Sequence, residues 1–337
     1  MEKNISDYKL GIVGKVDSLG TVPIGDEFNY MDYIIDEYDP ERKFAVFDWR
    51  DIGKDLTLSR YVLRNYAGHR EIVEKSVPLE KICDLMFIKQ LGSIHREKEQ
   101  FLSFLSSLDN FNGVAVNNPD TFRKNLSKAY LTSLQDHGFP VVPTVRYANG
   151  ASISDVRDSD FSSINNHYSG HHDDIVVKPE FFGEKGHGVR KLSSFNYEED
   201  FAKYVKQHSP FIAQPFIPEI VEYGERSLIF LGKDFSHGVA KYTGEFLINV
   251  SDNAVYTPYE PTSSELKMSR AILDGWPDKI GYTRIDLIHS GGIPFIGEVE
   301  MGNPAFYIAN NIPHPEIFMP RLKKFIDNTW SEYKNEY

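Results

Sequence analysis

Apolar residues along the chain fall into short runs and two periodicities, which together place its elements. Phe44-Ala45-Val46-Phe47 runs into the polar Asp48, and Leu85-Met86-Phe87-Ile88 follows a helix-like stretch. Apolar runs of four, bounded by polar loops, read as buried strands. From Glu97 to Leu108 the apolar positions 101, 102, 104, 105 and 108 recur at helical spacing. Mixing of this kind over the first ~115 residues predicts an α/β layer with some parallel sheet.

Asn117-Asn118-Pro119-Asp120 carries a turn and helix-start signal. It predicts a helix running through Leu134 and stopping near Gly138, where Pro140 follows. Val141-Val142-Pro143-Thr144-Val145 reads as a strand. From Ala148 to Asp174 the chain is rich in Gly, Ser, Asn, Asp and His, with a weak helical pattern at most. Ile175-Val176-Val177 is a β-branched strand ending at Lys178. Further strands are expected at 211–214, 227–232, 236–242, 282–288 and 294–299, and helices at 195–207, 263–274 and 315–333.

Length and charge narrow the function classes. The 337 residues are 41% apolar and 13% aromatic, enough for a sizeable core, and at ~150 residues per domain they give roughly two domains. Net charge is −12, with no basic run. A nucleic-acid surface needs clustered Lys and Arg, so no nucleic-acid partner is expected. Cys83 is the single cysteine, which excludes an intrachain disulfide and a multi-cysteine zinc site. The first residues are polar and lack a signal-peptide core. No apolar stretch approaches the ~20 residues needed to span a bilayer. The expected location is the cytoplasm, away from membranes.

Two segments carry candidate chemistry. In the first, the strand ending at Lys178 leads into Pro179-Glu180-Phe181-Phe182-Gly183-Glu184-Lys185-Gly186-His187-Gly188. Glycines let backbone N–H groups turn toward a polyphosphate, and the lysine adds a point charge for phosphate oxygens. A surface hairpin with a convenient lysine would share this pattern. No GxxxxGK[ST] run is present, so this is not a P-loop. In the second, Tyr282-Thr283-Arg284-Ile285-Asp286-Leu287-Ile288 alternates like a strand, His289-Ser290-Gly291-Gly292 turns, and Ile293 to Glu300 returns. Residues two apart in a strand share a face, so Arg284 and Asp286 can meet Glu298 and Glu300. Bunched carboxylates repel unless a cation neutralises them, and oxygen donors suit Mg²⁺ beside phosphates. A solvated hairpin face is the plainer alternative.

Taken in order, these segments resemble the ATP-grasp superfamily, nearest its glutathione synthetase and ribosomal-protein glutamate ligase branches. Asn117-Asn118-Pro119 through Lys128 to Pro143-Thr144 resembles the opening helix, whose lysine contacts ATP. Lys178 with Gly183, Gly186, His187 and Gly188 resembles the second ATP lysine and the lid. Gln214-Pro215-Phe216-Ile217 resembles the linker that bonds adenine, with Glu222 or Glu225 placed for the ribose. Asp286, Glu298 and Glu300 fall on the Mg²⁺ ligands, Arg284 on a phosphate-facing arginine, and Lys241 on a substrate- or phosphate-side position. The match covers about 117–307. Gly224-Glu225-Arg226-Ser227 with Phe235-Ser236-His237-Gly238, and Glu298-Val299-Glu300-Met301 leading to Pro304, are closer to cycloserine-type cyclo-ligases and their relatives. Those proteins also place Glu where most of the superfamily has Asn, here at Glu300; Asn303 is the alternative amide ligand, but the spacing from Glu298 and the downstream Pro304 favour Glu300.

The resemblance implies an α/β (α+β) chain in three parts: an N-terminal three-layer domain (1–116), a lid subdomain (117–213) and a C-terminal antiparallel-sheet subdomain (214–337). It implies an ADP-forming carboxylate–amine ligase using ATP and Mg²⁺, with Mn²⁺ as the alternative ion. The expected partners are small-molecule carboxylate and amine substrates, homo-oligomerisation being left open. A small-molecule kinase and a non-catalytic nucleotide-binding regulator are the competing readings.

Overall fold

The computed structural model describes residues 10–13, 44–64, 70–88, 94–164, 168, 174–181, 186–244 and 254–336. Gly183 and the histidines at 171 and 172 lie outside these residues. The first part runs β1 (Leu10–Val13), β2 (Phe44–Phe47), β3 (Thr57–Leu58), β4 (Tyr61–Arg64), β5 (Arg70–Val73), β6 (Val77–Pro78), β7 (Leu85–Ile88), α1 (Lys98–Ser107) and β8 (Val114–Val116). β1 pairs in parallel with β2 and β7, and β7 in parallel with β8. β4 and β5 add antiparallel strands, giving a six-stranded sheet ordered β5-β4-β2-β1-β7-β8, and β3 and β6 form a separate ribbon.

Strand alternation sends successive residues of this sheet to opposite sides. Val13, Ala45, Phe47, Met86 and Ile88 pack with Phe101, Phe104 and Leu105 of α1 and with Trp49. Ile12, Val46, Leu85, Phe87 and Val116 pack instead with residues 306–330.

The connection to the second part departs from the sequence expectation. The single helix expected from 119 to 134 is two helices, α2 (Pro119–Asn125) and α3 (Tyr130–Asp136). Asn118 caps α2, accepting from Thr121 N–H at 2.7 Å. The break follows from tertiary pairing: Lys128 N–H donates to Glu180 O at 2.8 Å, and Ser127 bridges Phe181. Those backbone groups leave the helical ladder for the segment at Glu180 and Phe181. The strand expected at 141–145 is likewise displaced to β9 (Val145–Tyr147). Val142 N–H donates to Ile296 O and Ile296 N–H donates to Pro140 O, but Pro143 has no N–H to continue a ladder. The weakly helical stretch contains a short helix, α4 (Ile153–Arg157), with a Ser152/Asp155 capping box.

β10 (Ile175–Pro179), β11 (Arg190–Lys191), α5 (Glu198–His208) and β12 (Phe211–Pro215) complete this unit. The sheet is antiparallel, in the order β11-β10-β12-β9. β12 crosses the expected 213/214 division and stays in this one sheet. Phe201, Tyr204 and Val205 of α5 pack on Val177, Phe211 and Ala213.

The third part comprises α6 (Glu219–Tyr223), β13 (Glu225–Leu231), β14 (Asp234–Tyr242), β15 (Val255–Tyr259), α7 (Ser263–Gly275), β16 (Tyr282–Ser290), β17 (Ile293–Glu300) and α8 (Pro315–Glu336). Its five strands are antiparallel, ordered β15-β14-β13-β16-β17. Leu228, Phe230, Ile285, Leu287, Ile296 and Val299 face Ile272 and Leu273 of α7. The other face is divided. Ile229, Leu231, Val239 and Tyr282 pack on Phe306 and on α8, which also covers the first sheet. The remaining positions of that face are polar or charged. A bulge sits at Gly297: Asp286 opposes Glu298, but Leu287 opposes Ile296.

Candidate active site

The β16–β17 pairing places Arg284 opposite Glu300 and Asp286 opposite Glu298, and β13 places Ser227 opposite Asp286. Directly opposed residues share a face, so four charged side chains and one hydroxyl converge. Arg284 is their centre. Its Nε and Nη2 donate to Asp286 at 2.8–3.0 Å. Nη2 also lies 2.6 Å from Glu300 Oε2 and 3.9 Å from Glu298 Oε2. Ser227 donates its hydroxyl to Asp286, and Lys128 pairs with Glu298. One strand further, Lys241 pairs with Glu225 and stands 3.5 Å from Asp286 Oδ1.

At the buried carboxylates, burial and the neighbouring charges compete. Burial pushes Asp286 up, but Arg284 and Lys241 outweigh it and bring the carboxyl down to about 2. Glu298 is also pushed up by burial, yet Lys128 holds it below the usual range. At Glu300 burial wins over Arg284, and the carboxyl is raised. Glu225 is raised by burial and by Asp286, against the pull of Lys241. Burial lowers Lys178, with Glu298 opposing and Lys128 assisting. Lys178 has no ion pair or side-chain hydrogen bond among the described residues. A half-buried cation whose charge burial disfavours calls for an anion.

The three acids expected to hold a metal meet at Arg284 rather than at one point. Among the described residues, no group of three or more His, Cys, Asp or Glu side chains is arranged to hold a metal ion. The donor set is nonetheless all oxygen, which suits Mg²⁺. Holding it at Glu298 and Glu300 requires Lys128 and Arg284 to yield those carboxylates.

The structure places the other expected site residues as follows. Lys241 is fully buried and lies against the carboxylates of Glu225 and Asp286. Gln214 is buried and donates its amide to Thr144 Oγ1 at 2.9 Å, inside the β9–β12 sheet. Pro215 ends β12, Phe216 N–H donates to Asp174 O at 2.8 Å, and Ile217 packs with Val142 and Phe295. Of the two glutamates considered for a ribose, Glu225 is committed to Lys241. Glu222 is exposed on α6, lining a cavity of about 690 Å³ with Glu219, Tyr223 and His289. Gly186 and Gly188 adopt φ of +72° and +73° and turn the chain, so that His187 lies edge-on to His208 at 5.6 Å.

Three participants escaped the sequence reading. Ser227 shares a strand face with Glu225, and that alternation would have found it. Glu180 is buried between Ser127, whose hydroxyl donates to it at 2.6 Å, and Arg146. Tyr307 lies beside Lys241 and Arg284, on an irregular segment that has no periodicity to read.

This division into a mixed six-stranded sheet, a four-stranded antiparallel sheet and an antiparallel carboxylate-bearing sheet is the fold of the ATP-grasp ligases. No family model matches the chain. The D-cycloserine synthetase DcsG superimposes with a TM-score of 0.67 at 19% identity, covering 94% of this chain and 98% of that one. In sequence, the cycloserine biosynthesis protein DcsG of Streptomyces lavendulae is 25% identical over 232 residues, 61% of this chain and 71% of that protein. A D-alanine–D-alanine ligase from Bacillus anthracis, complexed with ATP, gives a TM-score of 0.59 at 13% identity, covering 98% of this chain and 100% of its own. The ATP-grasp ligase PsnB, complexed with a phosphomimetic precursor variant, Mg and ADP, gives 0.58 at 14% identity, covering 94% and 98%.

Proposed function

We propose that this chain is an ATP-dependent carboxylate–amine ligase acting on an amino-acid or peptide-like small molecule. The supporting observation is the row on one sheet face: Arg284, Asp286, Glu298 and Glu300, with Lys128 and Lys178 arriving from two other elements. Such a row suits a transferring phosphoryl group, whose charge is spread over its oxygens and whose catalysis is mostly positioning and electrostatics.

A carboxylate oxygen of the substrate attacks the γ-phosphorus of ATP, the bond to the bridging oxygen breaks, and ADP leaves. The amine nitrogen then attacks the acyl carbon, loses a proton, and displaces inorganic phosphate. No covalent bond to the protein forms. Lys178 and Lys128 meet phosphate oxygens, and Arg284 neutralises the oxygens of the reacting carboxylate and phosphoryl group. Asp286, Glu298 and Glu300 would hold Mg²⁺, or Mn²⁺ in its place, which supplies charge neutralisation for the phosphates. Ser227 and Lys241 fix Asp286 in its ionised form.

The test is product analysis. ADP and free phosphate should form in equal amounts, and only when both a carboxylate and an amine are supplied. AMP with pyrophosphate would sink the acyl-phosphate route, and a stable phosphorylated metabolite would make the chain a kinase.

A further inference from the structure

Residues 301–307 return across the charged face after β17 and end in a feature that the ligase reading does not use. Tyr307 adopts φ +58°, the left-handed region that residues with side chains rarely take, as does Asn311 shortly after. Such backbone persists only where its surroundings fix it, and it clusters at ligand sites. Here the surroundings are charged. The Tyr307 ring centroid is 5.6 Å from Lys241 Nζ and 6.0 Å from the Arg284 guanidinium carbon.

The ring also packs on Tyr256, with centroids 5.4 Å apart and planes at 32°. Tyr256 stands opposite Lys241 in the β14–β15 register. Since β15 and β17 are opposite edges of the sheet, the two tyrosines close the charged row at the end away from Glu298 and Glu300. Tyr307 is only 8% exposed, and its hydroxyl has no hydrogen-bond partner among the described residues. That hydroxyl is not among the enclosed atoms, so it stays open to a ligand. An open donor on a ring that Lys241 and Arg284 flank can serve an anionic oxygen brought to Arg284.

We propose that Tyr307 is a specificity-determining residue for the carboxylate substrate. Its hydroxyl donates to one carboxylate oxygen while Arg284 neutralises the charge, and the Tyr307–Tyr256 pair walls in the neighbouring substituent. A wall in that position favours carboxylates with a small group next to the carboxyl carbon. This rests on the ligase reading above, because it assumes that the reacting carboxylate lies beside Arg284.

The experiment measures ADP release with a panel of free L- and D-amino acids and simple dipeptides as carboxylates, for the wild type and Tyr307→Phe. Phenylalanine keeps the ring and the same backbone demand, so the variant isolates the hydroxyl. KM for the carboxylate should rise at least ~10-fold, because a site built around a hydrogen bond loses it without replacement. Turnover number and KM for Mg-ATP should stay within about twofold, the pattern of a lost binding contact. Tyr256→Leu, which opens the wall, should admit larger side chains, and it provides a second reading should Tyr307→Phe fold poorly. An unchanged carboxylate KM in Tyr307→Phe, or an unchanged substrate range in Tyr256→Leu, overturns the proposal while wild-type turnover leaves the ligase reading intact. Absence of any carboxylate-dependent ADP release in the wild type removes the ligase reading, and this proposal with it.

Discussion

Glu298 and Glu300 share a strand and a face, yet one is held ionised by Lys128 while the other is raised by burial despite Arg284. Glu298 is therefore the firmer anion and the more sensitive test of the site. Glu298→Gln should lower turnover at least ~100-fold, the cost of removing one preorganised charge partner, with a melting temperature near wild type because its side chain is 27% exposed. Wild-type turnover in that variant would remove the acid from the site. A second residue ties stability to pH. His237 is buried, with Nε2 2.7 Å from Phe306 O, and burial lowers its pKa to about 4 from the ordinary 6.5. The unfolded chain binds this proton first as pH falls, so stability is full above 6.5 and drains away between 6.5 and 4. Between pH 7 and pH 5 the loss should be about 2 kcal/mol. Urea titrations of the wild type and His237→Gln should show that difference in slope; parallel slopes would clear His237. Alternation alone made Arg284, Asp286, Glu298 and Glu300 legible as one face. It gave no sign that Lys241 is enclosed or that Gln214 turns inward to Thr144, because those partners come from other strands.

At the scale of elements, periodicity located every strand of the C-terminal sheet except β15, and the helices α5, α7 and α8 to within a few residues. It failed where long-range pairing overrides local preference. The α2–α3 break exists because Glu180 takes the Lys128 N–H, and nothing within 119–134 announces it. The same pairing carries Lys128 across to Glu298. The glycine turn is coupled to the site in a similar way. A Cβ on Gly188 would meet Pro179 Cγ at 2.5 Å and His208 Cε1 at 3.0 Å, at a φ of +73°, and Pro179 directly follows Lys178. Gly188→Ala should therefore disturb the strand that delivers Lys178. KM for Mg-ATP should rise by about tenfold or more, with a much smaller change in melting temperature, since loop strain of this kind costs on the order of 1–3 kcal/mol. Normal ATP kinetics in that variant would uncouple the turn from the lysine.

At the scale of the whole molecule, Asn117 joins the parts. Its side chain accepts from Gly281 and Tyr282 N–H and donates to Tyr282 and Met301 carbonyls, completely buried between the first sheet and the third. The sequence showed it only as a helix-start residue, since a side chain's distant partners leave no local trace. Asn117→Ala strands four backbone groups and should cost about 3 kcal/mol or more, read as a lower denaturant midpoint; a loss under ~1 kcal/mol would mean that solvent replaces those bonds. α8 joins the parts too, for Phe325 meets Phe87 edge-on at 6.4 Å and Phe318, Leu322 and Ile326 complete the cover on the first sheet. That arrangement has a consequence for biosynthesis. The strands holding Ile12, Val46 and Phe87 leave the ribosome early, while the helix that shields them is translated last of the described elements. One face of a finished-looking sheet must wait, greasy and bare, through the making of everything between, and exposed apolar surface in such intermediates is what invites aggregation. Holdase chaperones should thus engage the nascent chain from its first strands until α8 emerges, and a ribosome stalled before residue 315 should present a sticky product rather than a half-working enzyme.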